Sequence, residues 1–352
     1  MKSKRRNNEC AHLISVNNNI NQEEITCNGV RNEFPYCYCL GLLLEMNFRS
    51  YFLMRFTNLQ LAELKLAYIR GENLTELIKS WNIAIDSLAL ELIYDLQAGS
   101  YTKIHFSGGL QREIYLGELA TLMKPYLQKG WSVLDAGIGE ATTLLPLLQK
   151  LDLELIPFGI DISWSRLSWA KANSIDFKIE IALAVADLKK IPARDSSIDC
   201  VLTMHSIEPN FGKEMEILSE LKRVAKSMII LIEPDFKNAD THQKTRMQKL
   251  GFIGDLDPYI SQLGLEIVDF RRIENNGNPL NKAGIWFLKP TDFVTDKGCD
   301  LSNRFWVDPL TKADLNPNRD GLASDEGFWY PISGGIPFLR PQDAKYAFNP
   351  AP

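Results

Sequence analysis

No stretch of this 352-residue chain is apolar over the ~20 residues that a membrane helix needs, so the sequence does not read as membrane-spanning. Metal-binding spacing is missing too. The six cysteines (Cys10, Cys27, Cys37, Cys39, Cys200, Cys299) make no Cys-x-x-Cys pair, and only four histidines are scattered along the chain. That argues against a zinc site and fits reduced thiols in a cytoplasmic protein. Positive charge is also in short supply. The net charge is −5, and beyond Lys2, Lys4, Arg5 and Arg6 no basic block marks a nucleic-acid surface. What is abundant is apolar side chain, 45% of the residues, enough for a core larger than one ordinary domain requires.

The most informative stretch is Val133-Leu-Asp-Ala-Gly-Ile-Gly-Glu-Ala-Thr-Thr143. Ser132 to Ala136 reads as a short buried strand with an acid, Asp135, near its end. Gly137 and Gly139 follow, and then an apolar helix containing Leu144, Leu145, Leu147 and Leu148. Strand, glycine turn and helix together bring a nucleotide-like ligand to the carboxyl edge of a parallel sheet. A dinucleotide fingerprint would place a third glycine where Thr142 stands. The strand-end acid would repel a pyrophosphate and favours a ligand carrying positive charge, such as the ammonium and sulfonium of S-adenosylmethionine. The segment resembles motif I of the class I S-adenosylmethionine-dependent methyltransferases.

Two further strands end in acids. Leu155 to Ile160 runs into Asp161, 22 residues beyond Gly139, where a carboxylate can accept both ribose hydroxyls; Ile162 beside it could lie against an adenine face. Ile179, Ile181, Leu183 and Val185 alternate at period two and predict a third strand leading to Asp187-Leu188. The family resemblance implies that Asp187 receives the adenine amino group, with the Leu188 backbone beside the ring. A fourth strand, Ile198 to Met204, delivers His205-Ser-Ile-Glu-Pro-Asn210 to the same edge. The chain departs here from two specialised subclasses. It lacks the Asn/Asp-Pro-Pro-Tyr/Phe of exocyclic-amine methylation and the Pro-Cys of carbon-5 pyrimidine methylation. Met228 to Ile232, Leu265 to Phe270 and Gly284 to Leu288 supply strands five to seven.

The predicted fold is thus α/β, a seven-stranded, mostly parallel sheet over residues 111–290, preceded by Gln111–Tyr126 as a lead-in helix. Residues 1–55 read as a loosely ordered tail, with Met46 and Met54 as alternative starts, and 56–110 as a helical extension or cap. Tyr101 lies where Gly99 and Ser100 interrupt that helical pattern. Resemblance to small-molecule methyltransferases implies a tyrosine-bearing segment folded over the cofactor there. Residues 300–352 carry Tyr330-Pro-Ile-x-x-Gly-Ile-Pro337, similar to a zinc-ribbon module that activates several tRNA and protein methyltransferases. Asp308-Pro-Leu-Thr311 stands where that module has Cys-Pro-x-Cys, which implies a metal-free version held by its aromatic side chains.

Function follows as an expectation: methyl transfer from S-adenosylmethionine to a small metabolite or sugar-type acceptor, with His205 as general base or orienter and Glu208 second. The expected cofactor-binding set is Asp135, Gly137, Gly139, Asp161, Ile162, Asp187, Leu188 and Tyr101. A macromolecular acceptor, tRNA or protein, is the alternative raised by the C-terminal module. A non-catalytic scaffold of the same fold is a third reading. The oligomeric state is not legible.

Overall fold

The computed structural model describes residues 55–107, 109–250, 252, 254–275, 281–291 and 305–346. The expected N-terminal tail lies outside them but for Arg55. The described chain opens with helices α1 (Asn58–Ile69), α2 (Leu74–Ser80) and α3 (Ser87–Gln97). Each begins where a short polar side chain, Thr57, Asn73 or Asp86, accepts a bond from a backbone amide of the first turn. Their apolar sides meet in a cluster of their own that includes Phe56, Leu64, Ala67, Ile78 and Leu92. Helices α4 (Ser100–Ser107) and α5 (Gly109–Met123) then lead to the sheet.

The sheet comprises β1 (Ser132–Ala136), β2 (Ile156–Asp161), β3 (Ala182–Val185), β4 (Ile198–Met204), β5 (Ala225–Pro234), β6 (Glu266–Arg272) and β7 (Ala283–Lys289). Between them run α6 (Leu144–Leu151), α7 (Trp164–Phe177), α8 (Glu214–Val224), α9 (Thr241–Leu250) and α10 (Asp257–Gln262). Strand order is β3-β2-β1-β4-β5-β7-β6. The first five are parallel, while β7 runs antiparallel to both β5 and β6. Strand β1 is buried along its whole length, as a central strand covered on both faces must be. The order reverses between β1 and β4, and the loops leaving their carboxyl ends diverge there to open a cleft.

Strand β3 is shorter than the alternation from Ile179 predicts. Lys178 ends α7 in the left-handed region (φ 56°), and the Ile179 amide turns back to the Ser174 carbonyl at 3.0 Å. The helix terminus claims Ile179, and the ladder begins only at Ala182. Strand β5 begins three residues before its predicted start and ends two beyond its predicted end, and β7 gains one residue at each end. In the lead-in helix, α5 gives way to a 3₁₀ turn at Lys124–Tyr126, where Pro125 cannot continue the α-helical ladder.

A second, antiparallel sheet follows: β8 (Leu315–Asn318), β9 (Gly321–Ser324), β10 (Phe328–Ser333) and β11 (Ile336–Pro337), with β12 (Lys345–Tyr346) also on β10. Tyr330 is fully buried and its hydroxyl donates to Asp308 Oδ1 at 2.9 Å. The same oxygen accepts from the amides of Leu310 and Thr311, so Asp308 ties a tight turn to the strand that carries the tyrosine. Phe305 stacks on Phe158 of β2 at 3.5 Å, and the Leu339 amide donates to the Val185 carbonyl at 2.8 Å, which seats this sheet at the β3 edge. Pairing there covers backbone that an edge strand would otherwise expose. Among the described residues no helix is long and apolar enough to cross a membrane.

Candidate active site

Tyr101, Gly137, Asp161, Ile162, Asp187, Leu188 and His205 all line the cleft at the β1/β4 divergence. Asp135, Gly139 and Glu208 are not among the lining residues. The glycine turn explains itself locally. Gly137 has φ 95°, and a Cβ there would lie 2.2 Å from the Ser206 Cβ; Ser206 Oγ donates to the Ala136 carbonyl at 2.6 Å. Gly137 therefore lets the loop after β4 close onto β1, a role within the chain that the sequence reading assigned to a ligand. At Gly139 (φ 57°) a Cβ would lie 2.4 Å from Arg166 Nη2.

The acids differ in how they are satisfied. Asp161 accepts from the amides of Gly139 at 2.8 Å and Ser163 at 2.9 Å, which fixes its carboxylate between the glycine turn and α7. Asp187 accepts from Ser87 Oγ at 2.7 Å and from the Lys189 amide at 3.0 Å. Asp135 is 1% exposed, and neither of its oxygens has a partner. Burial first, and repulsion from Asp161 next, hold its carboxyl well above the usual range, with Arg166 pulling the other way. A buried, unpaired carboxyl is costly unless a ligand completes it.

Four residues of the site were not singled out from the sequence. Arg166, on the first turn of α7, lies close to the rings of Tyr94 (5.0 Å) and Tyr101 (4.7 Å), and its Nε is buried without a partner. Burial opposes its charge, but Asp161 and the two phenols outweigh that and hold its pKa up. Tyr94 is carried by α3 and lines the cleft beside Ser87 and Leu90. Glu140, immediately after the glycine turn, accepts from the amides of Gly99 and Thr102 and from Thr102 Oγ1. It ties the segment bearing Tyr101 to motif I. A conspicuous acid after Gly-x-Gly and before a helix was the available signal.

Glu233 is the fourth. At the end of β5 it is fully buried and accepts from the amides of Ser206, Ile207 and Glu208 at 3.1 Å. Burial is the main reason its carboxyl is pushed up to about 7. The loop it holds presents His205, itself in the left-handed region (φ 56°), whose Nδ1 lies 2.8 Å from Glu208 Oε2. Burial works to lower the His205 pKa; the Glu208 hydrogen bond and charge outweigh it and leave the imidazole above its ordinary value. His205, Glu208 and Glu233 offer atoms within 4.8 Å of one another. The three amides on Glu233 anchor the loop that carries His205 and Glu208.

With this geometry in hand, comparison with known proteins is informative at the level of the domain. Residues 133–228 match the model of a family described as a methyltransferase domain. No protein with a curated description matches the sequence. Among solved structures, a chain of the complex between the Haloferax volcanii Trm112 methyltransferase activator and a methyltransferase aligns with 16% identity and a TM-score of 0.45, covering 56% of this chain and 97% of that one. Magnesium protoporphyrin IX methyltransferase from Synechocystis PCC 6803 aligns with 17% identity and a TM-score of 0.41, covering 51% and 85%. A methyltransferase from Aquifex aeolicus gives 18%, 0.38, 48% and 88% on the same measures. The sheet of this chain has the Rossmann-like methyltransferase architecture, and the match over residues 133–228 supports a methyltransferase.

Proposed function

We propose that this enzyme methylates an oxygen or nitrogen of a small metabolite or sugar-type acceptor in the cytoplasm, with His205 as the general base. The carrying observation is His205 on the cleft wall, paired with Glu208. With Glu208 accepting the Nδ1 proton, Nε2 is left with its lone pair, the tautomer a general base needs. His205 is about one-third exposed, so an acceptor can reach it. Glu208 orients the ring and stabilises it once it has taken the acceptor proton.

The residues present fit the donor. Asp135, buried and unpaired, would take its ammonium; Asp161 its ribose hydroxyls; Asp187 and the Leu188 backbone its adenine edge; and Ile162 the adenine face. Gly137 and Gly139 keep the turn clear of side chains, and Arg166, steadied by Tyr94 and Tyr101, offers a planar fork for the methionine carboxylate. When bound, S-adenosylmethionine supplies a methyl on a good leaving group, so alignment by these residues carries much of the acceleration. The α3–α4 roof over the cleft and the net charge of −5 favour a small acceptor over a nucleic acid. The C-terminal sheet, we further propose, is a metal-free counterpart of the zinc-ribbon activator, with Asp308 and Tyr330 organising the turn that thiolates would otherwise hold.

Incubating the enzyme with methyl-labelled donor and fractionated cell extract tests the acceptor. Label in the small-molecule fraction is expected; label confined to protein or RNA would overturn the small-acceptor reading. Asp161→Ala should weaken donor binding by about 1.5–3 kcal/mol, the scale of hydrogen bonds to a charged group. Unchanged affinity in a folded variant would remove Asp161 from the ribose site.

A further inference from the structure

Ser87, Leu90 and Tyr94 of helix α3 line the cleft. On the same helix Glu91 is 3% exposed although it is a carboxylate. Its partner comes from the C-terminal sheet: Arg340 Nη1 lies 2.6 Å from Glu91 Oε2, with both side chains almost wholly removed from solvent. Arg340 also donates to both oxygens of Asp343, from Nε at 2.6 Å and Nη2 at 2.8 Å. A buried cation held by two carboxylates fixes geometry more than it adds stability, because its desolvation offsets most of its attraction.

The place of Arg340 in the chain makes this geometry consequential. The two residues before it belong to the β3 edge: Phe338 pairs with Val185 in parallel register, and the Leu339 amide donates to the Val185 carbonyl. Two residues beyond Val185 stands Asp187, the acid at the adenine end of the cleft. On the cleft side, Ser87 of α3 donates to that same Asp187 at 2.7 Å. The two walls of the donor site, the β3 end and α3, are therefore joined twice. Ser87 joins them directly, and the Phe338–Arg340 segment joins them through Val185 and Glu91.

Resting on the donor site proposed above, we infer that Arg340 is a positioning residue for methyl-donor binding, through which the C-terminal sheet sets the distance between α3 and the β3 end. It touches neither donor nor acceptor. Its action runs through Glu91 to the helix that carries Tyr94, and through Leu339 to the strand that carries Asp187. Coupling of this kind requires a contiguous physical link, which these contacts supply.

Glu91→Met and Arg340→Lys, made in the full-length protein, test the inference by calorimetric titration with S-adenosylmethionine and by steady-state kinetics. Glu91→Met leaves Arg340 paired with Asp343, so no lone buried charge is created. Arg340→Lys keeps the charge but cannot serve both carboxylates with a planar fork. Arg194→Gln is the comparison, since Arg194 pairs with Asp314 of the same C-terminal region. The expected result is a donor Kd raised at least about fivefold in Glu91→Met and Arg340→Lys, with kcat at saturating donor unchanged, and a wild-type Kd in Arg194→Gln. Wild-type donor affinity in folded Glu91→Met would overturn the inference, as would an equal loss in Arg194→Gln. Should Arg340→Lys fail to fold, Glu91→Met decides alone. Absence of donor binding by the wild-type protein would instead overturn the donor site itself.

Discussion

Asp135 sets the first test at the scale of single residues. Its carboxyl is buried without a partner, so the ligand-free protein carries a cost that a bound ammonium would relieve. Asp135→Asn removes the charge that the ammonium would meet and should weaken donor binding, with little change in the melting temperature of the ligand-free protein. Thermal denaturation with and without S-adenosylmethionine separates the two effects; a variant less stable than wild type yet unchanged in donor affinity would make Asp135 structural. His205 gives a pH signature. The base must be unprotonated to act, and Glu208 favours the protonated ring, so kcat should fall as pH drops through a midpoint above the ordinary histidine value of 6.5. Glu208→Gln should move that midpoint down, and His205→Ala should cost on the order of 10²-fold in kcat. A pH-independent kcat would leave His205 structural. These acids and the histidine were legible because each follows an apolar strand. Arg166 was not: a cation early in a helix reads as a solvated side chain, and only the fold brings Tyr94 and Tyr101 beside it.

Elements were legible to the extent that their period or their punctuation was strong. The glycine turn, α6 and the buried β1 follow directly from Val133 to Leu148. Strand β3 was read too long because Ile179 and Ile181 keep the alternation of a strand, whereas a helix terminus has already engaged the Ile179 amide. Hydrophobic period cannot register that competition. The meeting of two loops at Gly137 was likewise invisible, since Ser206 lies 69 positions away in sequence. Gly137→Ala should be severe for two reasons, a strained backbone at φ 95° and a Cβ driven into Ser206. Loss of soluble protein or of donor binding is expected, read by expression yield and calorimetry. A stable variant with normal affinity would show that the two loops can separate without consequence.

For the whole molecule, the sheet architecture was in the sequence but the way its appendages join was not. Helical stripes at Leu64 or Ile78 could have packed anywhere, and nothing local says that Glu91 and Arg340, 249 positions apart, form a buried pair. The C-terminal region, expected to be held by its aromatic side chains, also packs apolar side chains toward the large sheet. Phe305 stacks on Phe158, while Ile336, Phe338 and Leu339 are buried close to the β3 edge. Truncation after Pro290 would expose these partners, and at ~25 cal/mol per Å2 of apolar surface the loss amounts to several kcal/mol. The truncated protein should aggregate, as judged by light scattering, and metal analysis of the intact chain should find no stoichiometric zinc. The most direct test of the account is calorimetric titration of the full-length protein with S-adenosylmethionine, alongside a nicotinamide dinucleotide. Saturable one-site binding of S-adenosylmethionine, weakened in Asp161→Ala, is the predicted result; no binding of it together with saturable binding of the dinucleotide would contradict the account.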